Sequence, residues 1–388
     1  MKVNVAVCGR FHYHNYVKYL ASLGSLNRFY YSHKRSTGSA ALGISKEQAV
    51  NLWAKEYLLG IHNRLTRGRL AREMAAWYAN LWQAGVLRRW DKCDILHLML
   101  HGTGLEVARR AKREGSVVVA EPVNQHVEAA HAIMEEEREA LGLKRTGGLR
   151  RVEQRQIEEI EISDFLLAPS RIVRDSFVKR GYDERRTAVL PYGVDIDRFR
   201  PHAVRDEPES DRVFRVLCVA QISVRKGHVY LLEAWKRLAL PNSELLLIGA
   251  ISDEMNPILT RYRGLFHHIA SVANASLRDY YGRASVSVLP SLEDGFGVTC
   301  TEAMACGVPV IVTSSAGTSD VVDHGKDGFV VPARSSEAIS DCLERLYRDE
   351  ELRRGMAAAA LTKARSELTW EAYAHNLNAI YRTAMDLH

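Results

Sequence analysis

The chain has 388 residues, of which 46% are hydrophobic and 26% charged, and its formal net charge is +6. These values are typical of a globular protein of two ordinary domains, and so modest a charge gives no indication of nucleic acid as a partner. The six cysteines include no Cys-x-x-Cys pair, which argues against a disulfide framework or a zinc site and predicts a reducing, cytoplasmic location.

The first half of the chain alternates strand and helix patterns. β-Branched apolar runs predict strands at residues 3–8, 94–98, 116–120 and 165–168, with helical patterns between them. The first run reads as a strand and lacks the charged region and cleavage site of a signal peptide. An acidic cluster, Glu135, Glu136, Glu137 and Glu139, is predicted to be the solvated face of a helix.

The stretch 51–90 differs from the rest because it mixes aromatic and apolar residues with seven Lys and Arg against two Glu. No apolar run in the chain approaches the roughly 18 residues of a membrane span. Basic and aromatic helical faces can lie on an anionic membrane surface, which would make the protein peripheral on the cytoplasmic face. They can also be core-packed helices with solvated arginines. Both interpretations stay open at this point.

The second half repeats the alternation, with strands predicted at 215–220, 245–249, 285–289 and 308–312. Such alternation predicts parallel sheets with helices on both faces, and hence an α/β protein of two doubly wound domains. A loop at residues 191–201 and a polar stretch after it separate the two blocks.

Two segments of the second domain carry candidate chemistry. In the first, Lys226 precedes Gly227 after a strand. In the second, Asp294 precedes a Gly-Phe-Gly turn that opens a short helix with Glu302, eight positions later. Glycines before a helix start leave backbone N–H groups free for an anion, and eight helical residues span about 12 Å. A lone Asp in that place is also a common helix N-cap.

The Asp294 segment continues as Glu-Ala-Met-Ala-Cys-Gly-Val-Pro-Val-Ile from Glu302 to Ile311. Together with these flanking residues, the segment resembles the carboxylate-x7-carboxylate motif of the retaining nucleotide-sugar glycosyltransferases of family 4. The resemblance extends over about residues 90–385. It implies the GT-B fold, in which two Rossmann-like doubly wound domains face a central cleft, and a last helix, about 370–388, that crosses back to the N-terminal domain. Residues 192–195 resemble the interdomain connection of the family, with Tyr192 in place of the usual Asn, which implies one domain over 1–195 and a second over 196–388.

The resemblance also implies roles for individual residues. Most relatives have Glu at the position of Asp294 and Arg at the position of Gln221, and Arg225 is the candidate to supply the missing charge. Lys226 would contact the diphosphate, Glu302 the ribose, and His126 aligns by position with an active-site histidine. The remaining residues implied to bind the donor or to form the cleft loop are Val272, Leu277, Gly295, Phe296, Gly297, Gly9, Arg10 and His12. His126, Val272 and Leu277 also have a structural interpretation, His126 as an ordinary residue after a strand and the other two as core residues.

The implied function is transfer of a hexosyl unit, with retention, from a UDP- or GDP-linked sugar to a glycan, lipid-linked glycan or small molecule. Bacterial polysaccharide or glycoconjugate synthesis would be its setting. The resemblance implies that no cofactor or metal is needed, and the one Asp-x-Asp sequence, Asp195-Ile196-Asp197, lies in the linker and is interpreted as structural. Two alternatives remain: a nucleotide-sugar epimerase on the same fold, and a non-catalytic protein that binds sugar nucleotides.

Overall fold

The structure, a computed structural model, describes residues 1–66, 74–201 and 213–388. Within these ranges the chain forms two parallel β-sheets, each with helices on both sides. The first sheet has the strand order β3-β2-β1-β4-β5-β6-β7 and the second the order β10-β9-β8-β11-β12-β13. Both orders reverse direction beside the first strand of the sheet, as in doubly wound folds. The prediction of two Rossmann-like domains is confirmed.

The strands of the first sheet are Val3–Ala6 (β1), Leu26–Tyr31 (β2), Ala49–Asn51 (β3), Ile95–Leu100 (β4), Val117–Pro122 (β5), Phe165–Ala168 (β6) and Thr187–Val189 (β7). Those of the second are Phe214–Val219 (β8), Ser243–Ile248 (β9), His267–Ile269 (β10), Val286–Leu289 (β11), Val310–Thr313 (β12) and Gly328–Val331 (β13). The predicted boundary at residue 195 lies between β7 and β8. Every residue of β4 and β5 is buried, because a parallel sheet with helices on both faces leaves neither face to solvent.

The helices of the N-terminal half are Tyr13–Ser22 (α1), Ser39–Leu42 (α2), Ala54–Thr66 (α3), Ala75–Arg88 (α4), Leu105–Arg113 (α5), Val127–Ala140 (α6), Arg151–Ile162 (α7) and Arg171–Val178 (α8). Those of the C-terminal half are His228–Leu238 (α9), Asn256–Leu259 (α10), Leu277–Tyr281 (α11), Val298–Ala305 (α12), Ser336–Arg348 (α13), Glu350–Ser366 (α14) and Trp370–Asp386 (α15). No helix in the described ranges is both long enough and apolar enough to cross a membrane.

The last helix, α15, packs on the N-terminal domain. Trp370, Tyr373 and Tyr381 are buried in the same hydrophobic cluster as Tyr13 and Tyr16 of α1. The side chain of Thr369 accepts a hydrogen bond from the backbone N–H of Ala372 and so caps the first turn of the helix. Residues at the end of the chain therefore complete the core that residues near its beginning start.

The acidic cluster on α6 is not a solvated face, and the prediction was wrong for Glu135 and Glu137. Glu137 is 1% exposed and accepts hydrogen bonds from Arg334 Nε (2.6 Å) and Tyr230 OH (2.7 Å), both in the C-terminal domain. Glu135 is bound by the Arg145 guanidinium at 3.1 Å. Tyr230 and Arg334 are far from Glu137 in sequence, so a local charge pattern could not predict them. Through these two residues α6 contacts the C-terminal domain.

Candidate active site

The loops that follow β5, β8 and β11 meet where the two sheets face each other. Parallel α/β sheets bind ligands at the carboxyl ends of their strands, beside the point where the strand order reverses. The loop after β11, residues 290–297, lies at the centre of this region. It contacts the loop after β8 on its own sheet and the loop after β5 on the other domain.

The structure brings the predicted residues Lys226 and Asp294 together. The Lys226 ammonium forms an ion pair with the Asp294 carboxylate, and the two side chains are 12% and 9% exposed. Burial acts to raise the pKa of Asp294, but Lys226 and then Arg225 outweigh it, so that the pKa lies below its usual value. Asp294 is therefore ionised at neutral pH and holds Lys226 at the cleft.

Gly227 explains how the Lys226 turn reaches this loop. Its φ is +64°, in the left-handed region, and a Cβ there would overlap the carbonyl oxygen of Pro290. Only glycine lets the two loops approach so closely. Gln221, predicted to replace the usual arginine, is exposed at the carboxyl end of β8.

Arg225 is bound by the carboxylate of Glu293, which was not among the predicted site residues. Its Nη1 lies 3.0 Å from Oε2 of Glu293, whose side chain is 1% exposed. The other carboxylate oxygen accepts the backbone N–H of Gln125, in the N-terminal domain, at 3.1 Å. The acidic Glu293-Asp294 pair was visible in the sequence, but only the fold assigns one carboxylate to Arg225 and the other to Lys226.

The Gly-Phe-Gly turn packs directly against the N-terminal domain. A Cβ on Gly295 would overlap the carbonyl oxygen of Val123, so this contact also requires glycine. Phe296 is buried, and Gly297, at φ +86°, precedes the first residue of α12. The first N–H groups of a helix lack partners within the helix, and together with the positive end of the helix dipole they suit an anion.

Glu302 lies on α12, beyond the turn. Tyr281 donates a hydrogen bond to its Oε2 at 3.1 Å. Burial raises the pKa of Glu302 to about 7, although hydrogen bonds from Tyr281 and Asn274 act against the shift. Leu277 is buried in the adjacent core cluster, and Val272 packs against it partly buried. Their predicted contact with a base stays a prediction.

His126 occupies a structural position. It is the N-cap of α6: its backbone N–H donates to Ser176 Oγ (2.8 Å) and its Nδ1 accepts from the Glu128 N–H (3.3 Å). Burial lowers the pKa of its imidazole, and Arg180 adds to the effect. The predicted catalytic role of His126 stays a prediction, and these contacts account for the residue without it.

The cleft loop after β1 is tied to a buried carboxylate. Gly9 and Arg10 lie at the surface, whereas the His12 side chain is 8% exposed, with Nε2 2.7 Å from Oε1 of Glu121. The second oxygen of Glu121 is 2.8 Å from His97 Nε2. Burial acts to raise the pKa of Glu121, but the His12 and His97 imidazoles bring it well below its usual value.

An aromatic path connects His12 to the Gly-Phe-Gly turn. The His12 ring stacks on Tyr192 with centroids 4.0 Å apart, and Tyr192 meets Phe296 edge-on at 5.3 Å. Tyr192 lies in the linker between β7 and β8. In the part of the chain that the structure describes, no group of three or more His, Cys, Asp or Glu side chains is arranged to hold a metal ion.

Comparisons with known proteins bear on the family and the fold of the chain. Residues 200–363 match the model of the family described as glycosyl transferases group 1. The D-inositol 3-phosphate glycosyltransferase of Corynebacterium jeikeium is 30% identical over 261 residues, which are 61% of this chain and 62% of that protein. The GDP-mannose-dependent alpha-(1-6)-phosphatidylinositol monomannoside mannosyltransferase of Mycobacterium tuberculosis is 30% identical over 212 residues, 48% of this chain and 54% of that protein.

The chain thus matches between about half and three fifths of the length of these relatives. Among solved structures, sucrose-phosphate synthase from Thermosynechococcus elongatus aligns with a TM-score of 0.72 over 100% of both chains, at 18% sequence identity. At that identity the likeness concerns the fold alone. It is the GT-B arrangement of two facing doubly wound domains.

Proposed function

Because residues 200–363 match the glycosyl transferases group 1 family, we propose that the chain is a retaining glycosyltransferase. It would transfer a hexosyl unit from a UDP- or GDP-linked sugar to a glycan or lipid-linked glycan in bacterial polysaccharide or glycoconjugate synthesis. The single observation that carries the proposal is the buried Lys226–Asp294 ion pair at the Gly-Phe-Gly turn.

The mechanism follows from the charges around that pair. Cleaving the sugar–phosphate bond builds negative charge on the departing nucleoside diphosphate, and Lys226, Arg225 and the N–H groups at the start of α12 offset it. Asp294 holds Lys226 in place and offers an oxygen to a sugar hydroxyl. The leaving phosphate helps take the proton of the acceptor hydroxyl on the same face, and the anomeric configuration is retained.

A donor screen tests this function against its alternatives. UDP- and GDP-hexoses are incubated with the protein, with and without a library of glycan and lipid-linked acceptors, and nucleotide release and product mass are followed. A glycosyltransferase gives an acceptor product of increased mass. Conversion of the donor without acceptor would establish an epimerase instead, and binding without conversion would establish a sugar-nucleotide binding protein.

Catalysis is expected to survive removal of divalent metal. If side-chain cations and a helix start carry the phosphate charge, neither Mg²⁺ nor Mn²⁺ is needed in the donor site. Turnover in excess EDTA should therefore equal turnover in buffer, for an acceptor that does not itself bind metal. Loss of activity in EDTA that Mn²⁺ restores would contradict the mechanism.

We further propose that the protein associates peripherally with an anionic membrane on the cytoplasmic face, through the described part of the 51–90 stretch. Helix α3 turns an apolar face outward: Tyr57, Leu58, Ile61 and Leu65 recur at helical spacing and are between 37% and 76% exposed. Contiguous apolar faces exposed to water are uncommon in proteins that act alone in solution and often mark a surface that binds a partner or a membrane. Arg67, Arg69 and Arg72 of the predicted stretch lie outside the described residues.

Helix α4 continues the same surface. Tyr78, Trp82 and Val86 face the core, while Trp77 (46% exposed) and Leu81 (36% exposed) face outward. Residues of both helices line one groove of about 280 Å³. Its rim carries the exposed residues Arg88 and Arg89. Outward apolar side chains bordered by arginines match the interface of a bilayer with anionic headgroups.

Binding to vesicles checks this surface. The double variant Ile61→Gln, Leu65→Gln is expected to bind vesicles that contain phosphatidylserine at least about tenfold more weakly than the unsubstituted chain, because each side chain loses its apolar burial in the interface. Leu387→Gln is the control, because it changes a leucine just after α15 that is 53% exposed, as Ile61 is. Equal binding by all three proteins, or no preference for anionic over neutral vesicles, would contradict the proposal.

A further inference from the structure

Glu293 is a buried carboxylate whose two oxygens are bound by different domains. Oε2 pairs with Arg225 Nη1 at 3.0 Å, within the C-terminal domain. Oε1 accepts the backbone N–H of Gln125, from the loop after β5 in the N-terminal domain, at 3.1 Å. The Glu293 side chain is 1% exposed, whereas that of Arg225 is 35% exposed. The carboxylate is thus fixed in the protein while the cation that it holds reaches the cleft.

Resting on the function proposed above, we propose that Glu293 is a positioning residue that aims Arg225 at the donor's diphosphate and couples this orientation to the docking of the N-terminal loop 123–125. Glu293 itself contacts no substrate in this scheme. Its effect on the reaction passes through the guanidinium of Arg225.

Backbone contacts support the link between the two residues. The carbonyl oxygen of Arg225 accepts the N–H of Leu292 at 2.9 Å, and Arg225 Nη1 also donates to the carbonyl oxygen of Glu293 at 3.2 Å. A free arginine side chain has many rotamers, so a fixed carboxylate and carbonyl that bind its Nη1 remove most of that freedom before the substrate arrives. Charge stabilisation is effective when the donor is oriented in advance.

The loop 123–125 is held against the C-terminal domain by its contact with Gly295 and by the packing of α6, the helix that follows it. The Val123 carbonyl oxygen lies so close to Gly295 that a Cβ there would overlap it. The loop leads into α6, whose Glu137 is bound by Arg334 and Tyr230 of the C-terminal domain at 2.6 and 2.7 Å. Docking of α6 therefore presents the Gln125 N–H to Glu293. Without it, one oxygen of a buried carboxylate would lose its partner, at a cost in free energy.

A double-mutant cycle on turnover tests the proposal. Arg225→Ala and Glu293→Ala are each expected to lower kcat by about tenfold or more, and the double variant is expected to match Arg225→Ala alone, because Glu293 acts through Arg225. Glu293→Gln keeps the volume and one acceptor oxygen, so its kcat should lie between those of Glu293→Ala and the unsubstituted chain. The KM for the acceptor should stay within about threefold of its value for the unsubstituted chain.

Asp327→Asn is the matched control. Asp327 is also 1% exposed and its carboxylate pairs with Lys363 at 2.7 Å, away from the loops of the cleft. It should lower thermal stability while leaving kcat unchanged. Additive losses in the Arg225 and Glu293 cycle, or unchanged kcat in both Glu293 variants, would overturn the proposal. Where Glu293→Ala does not fold, the same cycle with Glu293→Gln decides. An unsubstituted chain that turns over no donor would contradict the glycosyltransferase function instead.

Discussion

Replacing Lys226 with alanine is expected to lower turnover by on the order of 100-fold or more, the scale of losing one oriented charge donor in a transition state. Lys226 is mostly buried and paired with Asp294 at the turn that faces the cleft, so bulk water and salt cannot replace its charge. The effect should fall on kcat, because the charge on the nucleotide grows as the sugar–phosphate bond breaks. Nucleotide release under saturating donor and acceptor measures it.

A second variant separates catalysis from stability. Lys226→Ala leaves the Asp294 carboxylate buried without its cation, and an unpaired buried charge destabilises the fold. Adding Asp294→Asn removes that charge, so the double variant should regain thermal stability and remain slow. Turnover near that of the unsubstituted chain in Lys226→Ala would remove the lysine from the mechanism.

Replacing Glu302 with alanine is expected to weaken binding of the free nucleoside diphosphate by roughly 1–3 kcal/mol, the cost of losing a charged hydrogen-bond acceptor. The pKa of Glu302 is about 7 because burial disfavours its charge. An ionised carboxylate accepts ribose hydroxyls better than a protonated one. Affinity should therefore rise by up to roughly tenfold from pH 6 to pH 8, as the ionised fraction grows. Calorimetry with UDP and GDP needs no acceptor.

Glu302→Gln is the control for the pH dependence. The phosphates of the nucleotide titrate equally with both proteins, so the difference between the two pH profiles belongs to Glu302. Parallel profiles of affinity for the two proteins would show that Glu302 does not contact the nucleotide.

The raised pKa of Glu302 also affects folding stability. Because the pKa is higher in the folded state than in the unfolded state, the carboxyl group stabilises the fold most below pH 4.5. It loses that contribution as the pH rises through about 7.

Local patterns in the sequence predicted the fold and the centre of the site. Strand and helix periodicity predicted both doubly wound domains, and the resemblance of the segments around Lys226 and Asp294 to family motifs identified two loops that the structure brings together. These features were accessible because each depends on a short stretch of chain. The turn, the helix start and the glycines are set by neighbours in sequence.

The partners of the buried carboxylates could not be predicted in this way. Glu293 receives the Gln125 N–H from 168 residues away, and His12 and Glu121 are 109 residues apart. Charge patterns cannot distinguish such residues from solvated ones, as the incorrect prediction for Glu137 shows. His126 was predicted to be in the site because it aligns by position with a histidine of the family. The structure shows that it also caps the helix that follows.

The packing of α15 has a consequence for the order in which the chain folds during synthesis. Trp370, Tyr373 and Tyr381 fill the same cluster as Tyr13 and Tyr16, so the core of the first domain is incomplete until α15 has been synthesised. At about 5–20 residues per second, the roughly 175 residues between the boundary at residue 195 and the start of α15 take on the order of 9 to 35 s. Throughout that interval the nascent first domain exposes the aromatic residues that α15 later covers, and we expect it to require a chaperone until α15 has been synthesised.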